Sequence, residues 1–264
     1  MTRIGRTFLL LAGLLAGAAL PGFAPAAPTS ETRFASDFVI TLRGFTVARA
    51  SFTGTVAGDR YDVDGKLGSA GLARVFARTD ATARASGRIS SGAVQPDSFL
   101  LDYAQDGSSS RTAIAFRDGD AISTDIEPKP RAPSKKIVPI TSSDLKSVAD
   151  PVAATLIARG TADQICGRTL RIYEGGTRID VQLSLKATGF VYGAGNRAVT
   201  CSGRFLPVAG MERGNKTYDF MRDKSDMEFV YAPAGPGGLH LLYALSARTE
   251  IGTVQLRAWR RKVE

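Results

Sequence analysis

From Phe34 onward, apolar and polar residues alternate in the period-two pattern of half-buried β-strands. Phe34, Ser36, Phe38, Ile40 and Leu42 fall on one face. Gly44 permits a turn, and Thr46 to Val56 resumes the alternation with Ala48, Ala50, Phe52 and Val56 together. Ala57-Gly58-Asp59 turns the chain before Tyr61, Val63 and Leu67, and Gly68 to Gly71 breaks that run. Leu72 to Arg88 is mixed: it suits a short helical turn followed by a polar strand carrying Thr79, Ala81, Ala83 and Ala85. Phe99, Leu101 and Tyr103 mark the next strand. Asp106-Gly107 and Asp118-Gly119 are hairpin signals on either side of Arg111 to Arg117, and Ala121 to Ile126 follows.

Residues 128–140 interrupt this pattern with four prolines (128, 130, 133 and 139). Proline removes amide donors and favours extended backbone, so this stretch predicts a linker or surface loop. A helix is expected over residues 150–160. Asp150 suits the N-cap, Pro151 the first helical position, and Gly160 a left-handed stop. Val152 and Leu156 share a face, beside Ala153 and Ile157. Strands resume around Leu170 and Ile172, at Ile179 to Leu185, at Ala198 to Leu206 and at Met227 to Tyr231. Pro207 to Lys224 reads as irregular and charged. Leu239 to Arg248 and Thr253 to Arg261 form a closing hairpin.

About a dozen strands joined by Gly and Asp turns, with no βαβ alternation, predict an all-β, mainly antiparallel fold. The expected architecture is a curved sheet, open barrel or β-spiral with one short helix packed as a plug. A single domain spans residues 27–264, with an N-terminal half (32–127), the Pro-rich loop, the helix and a C-terminal half (165–264).

The first 26 residues read as a secretory signal. Arg3 and Arg6 precede an apolar run of 13 residues, Phe8 to Leu20, well short of the ~20 that span a bilayer. Ala24-Pro25-Ala26 gives the small-x-small pattern, which predicts cleavage after Ala26 and export to the periplasm. No transmembrane segment is expected in the remainder.

Charged residues make up 22% of the chain and hydrophobic residues 44%, enough for a substantial core. The formal net charge is +9, and +7 without the signal, whose only charged side chains are Arg3 and Arg6. A basic surface favours anionic neighbours and equally serves solubility. The basic residues are dispersed and no aromatic-rich nucleic-acid motif accompanies them, so no nucleic-acid partner is expected.

Two cysteines, Cys166 and Cys201, in an exported chain predict a disulfide. The sole histidine, His240, lies among leucines in a predicted strand, which is poor material for a metal site or a general base. Asp118, Asp120 and Asp125, and separately Asp223, Asp226 and Glu228, lie close in sequence, although an alternating Asp–Gly turn accounts for the first group. No phosphate loop or nucleophile elbow occurs, and no dinucleotide fingerprint opens a helix. No catalytic residue, cofactor or metal is therefore assigned. Asn215-Lys216-Thr217 formally fits a glycosylation sequon. Arg257, Trp259, Arg260 and Arg261, with the only tryptophan in the chain, are candidates for contact with an anion or headgroup. An edge strand protected by charge explains the same cluster equally well.

The order of these pieces resembles the exported family known as domain of unknown function 3108. The resemblance rests on Gly44-Phe45-Thr46-Val47, on Asp150-Pro151-Val152-Ala153-Ala154 opening a helix, and on the hairpin from Arg171 to Asp180 flanked by Cys166 and Cys201. Val208-Ala209-Gly210 and Ile251-Gly252-Thr253-Val254 also fit. The resemblance implies a periplasmic antiparallel β protein with no established activity. In outline such folds are similar to curved periplasmic sheets that carry lipids and to β-spiral envelope-integrity proteins.

The expected role is non-enzymatic support of the cell envelope. A lipid, a lipopolysaccharide component or another envelope protein would bind on the concave face of the sheet. A structural or protein-interaction partner in an envelope complex is the alternative, and a hydrolase using His240 or the scattered carboxylates is a third possibility.

Overall fold

A computed structural model describes residues 31–71, 73–90, 92–130 and 134–264. The proposed signal segment lies outside these residues. One sheet contains fourteen strands: β1 (Glu31–Leu42), β2 (Phe45–Ala57), β3 (Arg60–Ser69), β4 (Thr79–Ser90), β5 (Ala93–Gln105), β6 (Ser108–Arg117), β7 (Asp120–Glu127), β8 (Ile157–Arg159), β9 (Thr169–Tyr173), β10 (Arg178–Val191), β11 (Gly195–Ala209), β12 (Met227–Pro233), β13 (Leu239–Thr249) and β14 (Gly252–Val263). Four short helices accompany them: α1 (Ala73–Phe76), α2 (Pro151–Leu156), α3 (Ala162–Cys166) and α4 (Lys216–Asp223).

The sheet order is β7-β6-β5-β4-β3-β2-β1-β14-β13-β12-β11-β10-β9. All of these neighbours are antiparallel, as the hairpin signals predicted. Asp118 and Gly119 both take positive φ (52° and 85°), the backbone a two-residue hairpin turn requires. The first and last strands pair in the middle of the sheet, so β14 is not the charged edge strand considered from the sequence. The true edges are β7 and β9.

The sheet does not close strand to strand. A strap over residues 145–149 bridges its edges instead. On one side Ala121 N donates to Leu145 O (2.9 Å) and Val148 N to Gly119 O (2.7 Å), and on the other Ala149 pairs with Arg171 and Tyr173 (2.8 and 3.0 Å). Otherwise orphaned edge groups are thereby satisfied. The Pro-rich loop leading to the strap is also anchored: Val138 N donates to Met211 O, and Gly210 N to Val138 O. Residues 131–133 of that loop lie outside the described residues.

The helix expected over 150–160 is shorter. Its start is as read: Asp150 Oδ1 accepts from the Val152 and Ala153 amides at 3.0 and 2.9 Å, with Pro151 first in the helix. Its end differs. Ile157 is extended (φ −110°, ψ 132°), and β8 pairs with Leu239–Leu241 of β13. Sheet pairing supplies these residues with backbone partners that a continued helix would have left unused on β13. Gly160 is left-handed in φ, but after a strand rather than a helix.

Two helices were not anticipated. Thr161 and Gln164 make a reciprocal capping box on α3. Asn215, the formal sequon residue, caps α4 by accepting from the Thr217 and Tyr218 amides.

Helix α2 packs against β3, β4, β5, β9 and β13, strands from opposite sides of the curl, and so plugs one end. Arg159 and Arg168 tie this plug to the β2–β3 and β4–β5 turns by donating to Gly58 O and Gly92 O at 2.8 and 3.1 Å. The opposite, far end carries the β1–β2, β5–β6 and β13–β14 turns, together with the longer connections that hold α1 and α4.

The concave face is filled by protein. Phe34, Phe38, Tyr61, Phe99, Phe229 and Tyr231 are buried there with Ile157 of the plug strand and Ile165 of α3. The space the sequence reserved for a ligand is taken by these side chains and by the plug. The Cys166–Cys201 disulfide forms and fastens α3 to β11.

Candidate functional site

Functional geometry lies on the outer, convex side of the sheet. Strand registers place Arg260, Asp37, Ser51, Lys66, Thr82, Asp102, Arg111 and Glu127 in one cross-strand row, one residue from each of eight adjacent strands. At about 4.8 Å per strand spacing, such a row is roughly 34 Å long. A second row runs beside it: Arg257, Val39, Arg49, Gly68, Asp80, Ala104 and Ser109. Side chains on one face of a sheet stand in such rows because their period is two. Acids and bases alternate along the first row, with Arg111 3.6 Å from Asp102 and Arg260 4.0 Å from Asp37.

Small residues hollow the rows out. Gly68, Ala104, Ser51 and Ser109 leave room between the long charged side chains. A Cβ at Gly68 would lie 3.2 Å from Asp80 Oδ1. One cavity of 560 Å³ lies over Thr82, Asp102 and Arg111. A second, of 350 Å³, shares Lys66, Leu67 and Asp80 with it and reaches Trp259. A third, of 560 Å³, shares Trp259 and continues to Tyr192 and Tyr243. Together they trace one groove from β7 to β13, with Trp259 at the junction.

A β-bulge aims the tryptophan. Asp37 pairs with Arg260 and Phe38 with Ala258, so Trp259 has no opposite residue. The extra residue leaves Trp259 and Arg260 both facing out, as bulges do. Trp259 is 56% exposed, and the Arg260 guanidinium sits 4.7 Å from its ring centroid. Arg257 lies over Tyr243 (5.6 Å) and donates to Tyr192 O in the β10–β11 turn. Arg261 parts from the other three candidates. It pairs with buried Ser36, and its Nη2 reaches Pro233 O. Burial lowers its pKa from the usual guanidinium value. Of the four residues singled out from the sequence, Arg257 and Trp259 line the groove and Arg260 lies against Trp259 beside it.

The other candidates are dispersed. His240, on β13, donates from Nδ1 to Gly238 O (2.8 Å). Asp223 pairs with Arg222, Asp226 with Arg248 and Glu228 with Lys186, each a separate ion pair. Asp118 faces Arg88, whereas Asp120 accepts from the Ser147 amide. Among the described residues no group of three or more His, Cys, Asp or Glu is placed to hold a metal ion. Nor is any described helix long and apolar enough to cross a membrane.

Two buried charged groups escaped the sequence reading. Arg178 is 1% exposed in its side chain, pairs with Asp180 and donates from Nε to Asp144 O (3.0 Å), which pins the strap to β10. Thr141 bonds to Asp144 and holds its carboxyl below the usual range. Asp150 is fully buried, and desolvation pushes its pKa up to about 6 against the two amide bonds that oppose the shift. The same burial, with Asp150 nearby, raises Tyr61 far above an ordinary phenol. Asp150 and Pro151 were legible as a cap, but the depth of their burial was not.

Fold and groove together define a plugged, strap-closed antiparallel β protein of barrel-like form with a polar cleft on its outer wall. The chain belongs to the family described as Protein of unknown function (DUF3108), whose model matches residues 37–258. In structure it is similar to a beta-barrel-like protein of domain of unknown function DUF1849 from Brucella abortus. That comparison has 9% identity and a TM-score of 0.48, and covers 90% of this chain and 100% of the other. A search of curated proteins finds no match.

Proposed function

We propose that this is a non-enzymatic periplasmic protein that supports the cell envelope by holding the sugar portion of an envelope glycolipid in the outer groove. The observation that supports it is the exposed indole of Trp259, set by a bulge where two of the three cavities meet and flanked by Arg257 and Arg260. The apolar C–H face of a sugar ring stacks on an indole, while its hydroxyls exchange hydrogen bonds with mixed acids and bases. Lys66, Asp80, Asp102 and Arg111 supply both signs along the groove. An acyl chain lying there would strip water from those charges with no compensating bonds. A nucleic acid would meet Asp37, Asp80, Asp102 and Glu127 with its phosphates. The expected export signal and the family resemblance support the compartment.

Because Trp259 is the only tryptophan, its emission reports the groove alone. Titration with delipidated lipopolysaccharide core should shift or quench that emission saturably, and Asp102→Ala should weaken the response. An unchanged spectrum, with native mass spectrometry of protein from its own periplasm showing no glycan or glycolipid, would sink the proposal.

A further inference from the structure

The far end of the barrel carries an exposed apolar rim that the groove does not use. Phe45 opens β2, Val75 and Phe76 lie on α1, and Ile251 forms the β13–β14 turn. Their exposure runs from 62% to 84%. Single exposed apolar residues are ordinary, whereas a contiguous set marks an interaction site. Here the set is contiguous through the backbone. Arg43 Nε donates to Ile251 O, which ties the β1–β2 turn to the β13–β14 turn. On the other side Ala70 N donates to Val47 O (2.8 Å), and α1 packs against β2.

We propose that this rim inserts into the headgroup and acyl boundary of a lipid bilayer. The shape favours that occupant. The four side chains stand on tips of three separate connections and form no flat face, so a planar protein partner would bury little of them. A bilayer surface accommodates separate protruding apolar tips and keeps the intervening turns hydrated. Charge is complementary as well. Arg43, Arg74 and Arg78 surround the tips, where their stems can lie along the apolar layer and their heads meet phosphates. Glu250 is engaged by Thr217 Oγ1 (2.9 Å), Asp106 accepts from the Arg78 amide (2.8 Å), and Asp80 faces Arg78 at 3.8 Å. At the plugged end the β2–β3 and β6–β7 turns are Gly58-Asp59 and Asp118-Gly119, which carry no large apolar side chain.

The test is co-sedimentation of the mature protein with vesicles of phosphatidylethanolamine and phosphatidylglycerol. Binding is expected, and Phe45→Ser/Phe76→Ser/Ile251→Ser should lower the partition coefficient about tenfold or more. These residues are exposed, so the fold should tolerate the changes, which circular dichroism checks. A Phe76→Trp variant in a Trp259→Phe background should shift its emission to the blue with vesicles. No sedimentation of the wild type, or equal sedimentation of the triple variant, would overturn the proposal. A concentration-dependent dimer abolished by the triple variant, without vesicle binding, would assign the rim to a second copy instead. The four apolar tips line none of the groove's cavities, so either proposal can fail alone.

Discussion

The hydroxyl of Tyr173 on β9 lies 3.0 Å from Oγ1 of Thr124 on β7, which joins the two edges of the sheet directly. Tyr173 directs its own proton to Gly175 O (2.8 Å), so Thr124 is the donor in the pair. Tyr173→Phe should destabilise the fold by about 1 kcal/mol. It should also speed hydrogen exchange at Ala121 and Ala149, the strap-bonded amides, more than at amides of β1 or β14. Uniform exchange across the sheet would show that the edges are held by other contacts.

Reduction of Cys166–Cys201 should lower stability by about 3 to 4 kcal/mol in the chain-entropy description, since the bridge spans 35 residues. The urea midpoint with and without reductant measures this. Both sulfurs are buried, so native protein should resist reductant until it is partly unfolded.

Asp150 makes stability depend on pH. Its folded pKa of about 6 lies above its value in an unfolded chain, so the native state holds the proton more tightly. Stability is therefore greatest below about pH 4 as far as this group is concerned, and falls by roughly 3 kcal/mol as pH rises to about 6. Asp150→Asn retains an oxygen for the Val152 and Ala153 amides and removes the titration. The variant should lose the slope between pH 4 and 6 in urea midpoints, whereas a slope unchanged from wild type would refute the assignment.

Arg178→Ala removes a buried cation from Asp180 and frees the Asp144 carbonyl, with a loss of roughly 3 kcal/mol or more. Arg178→Lys should recover little, because one ammonium cannot replace a fork that bonds both groups and Ile179 O. Trypsin should then cut after Lys146 in the strap, a bond expected to survive in the wild type.

Much of the sheet was legible because alternation survives in nearly every strand. Phe34, Ser36 and Phe38 are buried in turn, as are Tyr61 and Val63. Glycine turns such as Asp118-Gly119 set the antiparallel order. The start of α2 was legible in Asp150 and Pro151, yet its end depended on β13, more than eighty residues later, offering a partner for Ile157. Thr161 and Gln164 carried a local helix signal that passed unread. The groove was not legible at all. Aligning Arg260 with Glu127 requires eight strands in register and bulges at Asp37/Phe38, Ile40/Thr41, Ser86/Gly87 and Ala115/Phe116. Each bulge shifts every later residue by one place, and no local pattern announces it. Trp259 drew notice by its rarity, but only the bulge shows that it parts company with Arg261.

Pairing the first strand with the last also sets a clock. Hairpins from β1 through β7 can zip as soon as each turn emerges, because every partner is the next segment in line. The β1–β14 seam joins Leu42 to Val254, so it waits for nearly the whole chain. Until then β1 presents a long unpaired apolar edge, and the two halves of the sheet exist as separate, half-buried pieces. Such late, distant pairing slows folding and lengthens exposure to self-association. The slowest refolding phase should therefore be sensitive to changes in β14 and nearly indifferent to changes in the β5–β6 hairpin. A chaperone that meets the half-folded chain would find β1 its most persistent sticky surface.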